Sequence, residues 1–175
     1  NRWFGGIGVT RHMLQRITGE RMRTLSLLEV AAGSGHTPQL ASRALERNGI
    51  HVNLTFMDRA PTHLRPSSRS VAGNVLALPF RDGSFDAVSS VLFVHHLSPD
   101  ELVQFAREAL RVCRVAMIIN DIVRSPIPLA LVYAGTPLYR SRLTRHDAPA
   151  SVRQAYTPDE IRDLVQRAGP SRIDI

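Results

Sequence analysis

Leu27-Leu28-Glu29-Val30-Ala31-Ala32-Gly33-Ser34-Gly35-His36 is the stretch on which the reading of this chain turns. Leu27, Leu28 and Val30 form the short apolar run of a strand covered on both faces, as in a parallel sheet. Gly33 and Gly35 allow a sharp backbone turn and, lacking Cβ atoms, let a ligand come close. From Thr37 to Asn48 the residues Leu40, Ala41, Ala44 and Leu45 recur at helical spacing, and Gly49 follows as a C-cap. Strand, glycine turn and helix make the entry half of a nucleotide-binding α/β unit.

The spacing departs from that of a dinucleotide site. A pyrophosphate needs G-x-G-x-x-G at the helix N-terminus. Here an acid, Glu29, stands inside the strand, and no third glycine follows Gly35 at the required distance. A second alternating run, His51 to Met57, ends at Asp58, about 20 residues past the turn. A carboxylate there can accept from both hydroxyls of a ribose. Arg59 comes next, placed to pack against an adenine.

These features resemble motif I of the class I S-adenosylmethionine (SAM)-dependent methyltransferases, acid-x-Gly-x-Gly-x-Gly, with Ala31 standing at the first glycine position. SAM carries an amino group and a sulfonium but no phosphate, so a carboxylate near the turn suits it. Gly73-Asn74-Val75-Leu76-Ala77-Leu78-Pro79-Phe80 resembles the family segment in which an aspartate reads the adenine amine and the next backbone N–H meets a ring nitrogen. Asn74 replaces that aspartate, and its amide oxygen can still accept. The run from Pro79-Phe80 through Asp82-Gly83-Ser84-Phe85-Asp86 to Val88 is similar to methyltransferases of the ubiquinone/menaquinone-biosynthesis type. Thr157-Pro158 to Ala168-Gly169 resembles the family's penultimate helix.

The resemblance implies an α/β fold: a Rossmann-like, doubly wound, mostly parallel sheet flanked by helices. It implies one domain over residues 1–175, with cap helices in 1–23 and an acceptor-cap insertion in 122–156. SAM is the implied cofactor and S-adenosylhomocysteine (SAH) its product. The implied cofactor contacts are Glu29, Ala31, Gly33, Gly35, Asp58, Arg59, Asn74 and Val75, joined by Ser90 at the ligand-binding end of strand four. The implied acceptor is a small phenolic, polyketide- or quinone-like compound methylated on oxygen.

Further strands are expected at Ser70–Gly73, Phe85–Phe93 and Val115–Asp121, and a sixth beginning at Ser171–Ile175; the family's seventh strand lies outside the sequence given. Ser98-Pro99-Asp100-Glu101 and Thr157-Pro158-Asp159-Glu160 read as capping boxes that open helices. The adjacent His95 and His96 suggest a metal ligand or a general base, although neighbouring residues do not face one way. His96 is one base candidate. His146 is the other, flanked by Asp147, whose carboxylate could orient an imidazole if the loop bends. Asn120-Asp121 reverses the Asp-Asn pair that holds magnesium in catechol-type methyltransferases, and no metal is expected.

Composition narrows the classes. At 175 residues, 43% hydrophobic and 21% charged, the chain is large enough for one full core. All 22 basic residues are arginine, giving a net charge of +7. They are scattered, and with 6% aromatic residues there is no basic–aromatic platform, so nucleic acid is not the expected partner. No apolar run has the length of a membrane span. The single Cys113 excludes an internal disulfide and a cysteine zinc cluster. With no leader pattern visible, the expected compartment is the cytoplasm. A homodimer stays open. So do two other readings, an RNA or protein methyltransferase and a SAM-binding module without turnover. Leu92-Phe93-Val94-His95 follows strand four where base N-methyltransferases carry an Asn-Pro-Pro-Tyr-like tetrad.

Overall fold

A computed structural model describes residues 6–19, 22–33, 35–63, 69–135 and 149–175. Five strands form one parallel sheet: β1 (Thr24–Val30), β2 (His51–Asp58), β3 (Ser70–Ala72), β4 (Phe85–Val91) and β5 (Cys113–Asn120). Their spatial order is β3-β2-β1-β4-β5. The order reverses between β1 and β4, the switch point at which open parallel sheets bind ligands. Among the described residues the helices include α1 (Gly6–Thr18), α2 (His36–Glu46), α3 (Pro99–Val112), α4 (Pro126–Gly135) and α5 (Pro158–Gln166), and residues 149–154 are helical as well.

The chain packs as two compact units. One comprises Asn1–Val91 with Gln104–Asn120, the other Leu92–Val103 with Asp121–Ile175. In the first, Leu25 and Leu27 of β1, Val52 of β2, Ala87 of β4 and Ile118 of β5 share a buried cluster with Leu14 of α1 and Ala41 and Leu45 of α2. Each buried leucine of this kind contributes about 1.5–3 kcal/mol. The α1 helix is tied to the sheet by Asn120, whose Nδ2 donates to the Gly6 carbonyl at 3.1 Å and to Thr10 Oγ1 at 2.9 Å. At the opposite end of the sheet, Asp86 accepts from the Ser26 N–H at 2.8 Å and from Arg114 Nη2 at 2.7 Å. The Phe85 ring stands edge-on to Phe80, centroids 5.0 Å apart. Arg111 of α3 donates to the carbonyls of Leu78 (3.0 Å) and Phe80 (2.9 Å), while Glu108 accepts from the Leu78 N–H at 2.7 Å. The loop that follows Asn74 and Val75 is thereby fixed to a helix.

In the second unit the Tyr156 hydroxyl donates to the Leu97 carbonyl at 2.6 Å, and the Arg124 N–H donates to the Tyr156 carbonyl at 3.1 Å. Both expected capping boxes form: Ser98 with Glu101, and Thr157 with Glu160. Gly49 and Gly169 follow their helices with φ of 79° and 83°. The expected strand at Ser171–Ile175 does not form. A strand exists only as part of a ladder, and this segment is mostly exposed, with Arg172 paired to Asp174 instead. Among the described residues no helix is long and apolar enough to cross a membrane.

Ala31, directly after β1, has φ of 49°. For an alanine the left-handed region costs about 1–2 kcal/mol, and the glycine of the resembled motif would adopt it without that cost. Ala31→Gly also frees the unfolded chain, which returns about 0.4–1 kcal/mol. The expected net is a stabilisation of up to about 1 kcal/mol, a rise of about 1–3 °C in Tm by calorimetry. A fall in Tm would show that the turn is relaxed with alanine in place.

Candidate functional site

The site is built where the first unit's strands end. After Val30 the backbone enters three left-handed positions, Ala31, Gly33 and Gly35, with φ of 49°, 50° and 64°. The Ala32 N–H donates to the Met57 carbonyl at 3.0 Å, and the Gly35 N–H to the Ala32 carbonyl at 2.7 Å. A Cβ placed on Gly33 would meet nothing within 4 Å, so open space lies over it. A Cβ on Gly35 would lie 2.7 Å from the Phe56 ring. The bareness of Gly35 therefore serves the packing of α2 on β2.

Asp58 joins the loops. Its Oδ2 accepts from the Gly33 N–H and its Oδ1 from the Ala60 N–H, both at 2.9 Å. Its carbonyl accepts from the Gly73 N–H at 3.0 Å, which brings the Asn74 loop beside it. A carboxylate has about four acceptor positions, so bonds to backbone and to ribose hydroxyls are compatible. Asn74 is exposed and closes its own turn, Oδ1 accepting from the Leu76 N–H at 3.1 Å. Val75 is buried, and its N–H takes no partner among the described residues. Arg59 is exposed.

Two polar side chains lie inside the sheet at this end. Ser90, opposite Val30 in register, is 1% exposed, and its Oγ has no hydrogen-bond partner among the described residues. An orphaned buried hydroxyl costs about 1–3 kcal/mol, which a polar ligand group could restore. Glu29, also 1% exposed, sits opposite Ser89 and accepts that residue's hydroxyl and the Val91 N–H. Burial pushes its carboxyl up to about 7, against the lowering effect of those two bonds. The open cradle at Gly33, the acceptor at Asp58 and the orphaned Ser90 hydroxyl fit a phosphate-free nucleoside that carries polar groups.

The second unit holds a pair that the sequence did not disclose. His95 Nδ1 lies 2.7 Å from Asp121 Oδ1, their side chains 6% and 7% exposed. Asp121 Oδ2 accepts the His95 backbone N–H at 3.1 Å, and its Oδ1 also accepts the Ile122 N–H at 2.7 Å. His95 lies in a 3-10 turn, Val94–His96, four residues past the end of β4, and Asp121 directly follows β5. The next residue, His96, is exposed, its ring tilted against that of His95 with centroids 4.1 Å apart. Its pKa is lowered by partial burial and by the neighbouring His95, opposed by Asp121. His146 lies outside the described residues.

Glu29 makes a pH prediction. Its folded pKa exceeds the unfolded value, so the native state holds the proton more tightly. Its contribution is complete below about pH 4.5, falls as pH rises to about 7, and is lost above. The full span is of order 3 kcal/mol. Glu29→Gln should flatten the difference in unfolding free energy between pH 5 and 8, measured by urea titration against wild type. The comparison removes His96, whose lowered pKa acts in the opposite direction. Equal pH profiles for the two proteins would show that the carboxyl titrates normally.

Comparison with known proteins agrees with this geometry. Residues 28–116 match the family described as a methyltransferase domain. A ubiquinone/menaquinone biosynthesis C-methyltransferase of Methylobacterium nodulans is 35% identical over 86 residues, covering 43% of this chain and 33% of the relative. Among solved structures, the plantazolicin methyltransferase in complex with SAH superposes with a TM-score of 0.69 at 15% identity, covering 99% of this chain and 65% of that one. A methyltransferase from an antibiotic biosynthesis pathway of Anabaena variabilis gives 0.61 at 19% identity, covering 91% and 60%. The chain thus spans a third of the curated relative and about two thirds or less of these solved chains. The structural likenesses establish the fold, and the match over residues 28–116 establishes the family: this chain belongs to the methyltransferase-domain family, whose cofactor is SAM.

Proposed function

We propose that this domain transfers a methyl group to a hydroxyl of a small phenolic, polyketide- or quinone-like acceptor. The observation that carries this reading is the buried His95–Asp121 pair. A hydroxyl must lose its proton as it attacks, and a positioned imidazole is the usual acceptor of that proton. With Asp121 accepting at Nδ1, the neutral ring keeps its proton there and leaves Nε2 as the base. The second bond, from the His95 N–H to Oδ2, fixes the turn as well as the ring. His95 follows the end of β4 by four residues, and Asp121 directly follows β5.

Bound SAM supplies a methyl already activated by the sulfonium, with a neutral thioether as leaving group. The protein's task is to align the acceptor and exclude water. In this reading Asp58 accepts from the ribose hydroxyls and Gly33 leaves room for the chain beside them. Asn74 Oδ1 accepts from the adenine amine, the Val75 N–H donates to a ring nitrogen, and Arg59 packs on the adenine face. Ala31 and Gly35 shape the turn, and Ser90 meets a polar group of the cofactor. The expected caps, 1–23 and 122–156, lie partly outside the described residues.

The relative in Methylobacterium nodulans is named a C-methyltransferase, which favours transfer to a ring carbon as the second reading. The products tell the two apart, because O-methyl and C-methyl carbons differ in NMR shift.

Three variants test the proposal together with a panel of phenols. Asp58→Ala should abolish the SAH-induced rise in Tm. His95→Gln and Asp121→Asn should keep that rise while transfer to hydroxyl acceptors falls about a hundredfold or more. Undiminished transfer by His95→Gln would remove the base from the mechanism. SAH binding by wild type with no transfer to any phenol would favour a binding module.

A further inference from the structure

Glu29 is a buried carboxyl with no cationic partner among the described residues. Taking an ionised carboxylate out of water costs several kcal/mol unless a partner charge or strong donors offset it. Its partners among the described residues are the Ser89 hydroxyl and the Val91 N–H. It lies on the sheet face shared by Leu25 and Leu27, the face covered by α1 and α2. On those helices Arg11, His12 and Arg16 of α1, and His36, Arg43 and Glu46 of α2, are all exposed. Its register neighbours on β2 and β4 are Phe56 and Ser89. The titratable groups of these strands are His51 and Asp86 at the far end, and Asp58, held by the Gly33 and Ala60 N–H groups, at the near end. No described cation reaches Glu29, and the one nearby acid, Asp58, carries the same sign.

Its place along the strand supplies a reason. Ala31 follows two residues on, at most about 7 Å away along the chain. A charge bound at the turn therefore lies within range of Glu29 across a poorly solvated strand end, where Coulomb interactions are strong. The partners of Glu29 also tolerate both of its states. A serine hydroxyl rotates to donate to a carboxylate or to accept from a carboxylic acid.

We propose that Glu29 is the counter-charge for the cofactor's sulfonium, ionised while the charged cofactor is bound and protonated when the neutral thioether product remains. One proton leaves Glu29 for solvent as the cation binds and returns from solvent after the methyl has gone. The strand thereby favours SAM over SAH and assists release of product. The proposal deepens the functional reading and rests on the cofactor occupying the turn at the end of β1.

The test uses calorimetric affinities, not turnover. SAM and SAH share the adenosine, the amino group and the carboxylate, so the contributions of those groups cancel in the ratio of their Kd values. In wild type, Kd for SAH divided by Kd for SAM should rise about tenfold between pH 5.5 and 8.5, a one-unit fall in the pKa of the paired acid. Titrations at pH 7 in two buffers of different ionisation enthalpy should show SAM releasing more protons than SAH. Glu29→Gln should make the ratio independent of pH. Ser89→Ala, which removes the hydroxyl donor, should move the midpoint upward and serves where Glu29→Gln does not fold. A flat ratio with equal proton release in wild type overturns the proposal while leaving cofactor binding intact. The same slope in Glu29→Gln also overturns it. If neither ligand binds wild type at any pH, the crevice assignment falls and this proposal with it.

Discussion

The hydrogen bond from the Gly33 N–H to Asp58 is the constraint around which the first unit's ligand end is arranged. The glycine turn after β1 and the end of β2 are distant in sequence, and neither is stiff alone. One carboxylate fixes the turn through Gly33 and its own following residues through Ala60, while its carbonyl fixes Gly73. Three loops thus share one residue. Asp58 is 9% exposed, so these bonds form in a poorly solvated place where they are worth more than at the surface. An acid at this strand end would be expected for ribose binding alone. Here it also holds the turn that a nucleoside would enter.

The same sheet face changes character along its length. At one end it is aliphatic: Leu25, Leu27 and Ala87 pack under α1 and α2. Towards the carboxyl ends come Glu29, Ser89 and Asn120, all on that face. The first pair bond each other, and Asn120 holds the start of α1. Stability comes from the aliphatic half. The polar half costs desolvation, and so do the left-handed Ala31 and the orphaned Ser90 hydroxyl. Of the two orphaned buried hydroxyls among the described residues, that of Ser90 lies at this end of the strands with the left-handed Ala31, and that of Ser42 lies in α2.

Much of this was legible in the sequence because it is local. The strand, turn and helix at Leu27–Gly49 follow from an apolar run, two glycines and a helical period. The capping boxes at Ser98 and Thr157 follow from a four-residue pattern. What escaped depends on pairings across the fold. Gly35 reads as a ligand-facing glycine, yet only the position of Phe56 reveals that a Cβ would strike that ring. Ser171–Ile175 reads as a strand from its residue types, but no ladder forms there among the described residues. Glu29 reads as a ligand contact, and its enclosure by Ser89 depends on the register of β1 with β4.

His95 and His96 show most sharply why residue type is not enough. The two imidazoles lie against each other, centroids 4.1 Å apart, yet they meet different surroundings. His95 turns inward to Asp121, 26 residues away, and His96 stays at the surface. Nothing in the dipeptide says which ring will be buried. The deciding event is that β5 ends so that its next residue, Asp121, can bond both the backbone and the ring of His95. Those two hydrogen bonds select the inward histidine. The sequence holds a visible trace of it in an acid directly following β5, much as Asp58 closes β2 as its final residue. Acids at strand ends here act first on their own backbone loops, and through them on whatever those loops receive.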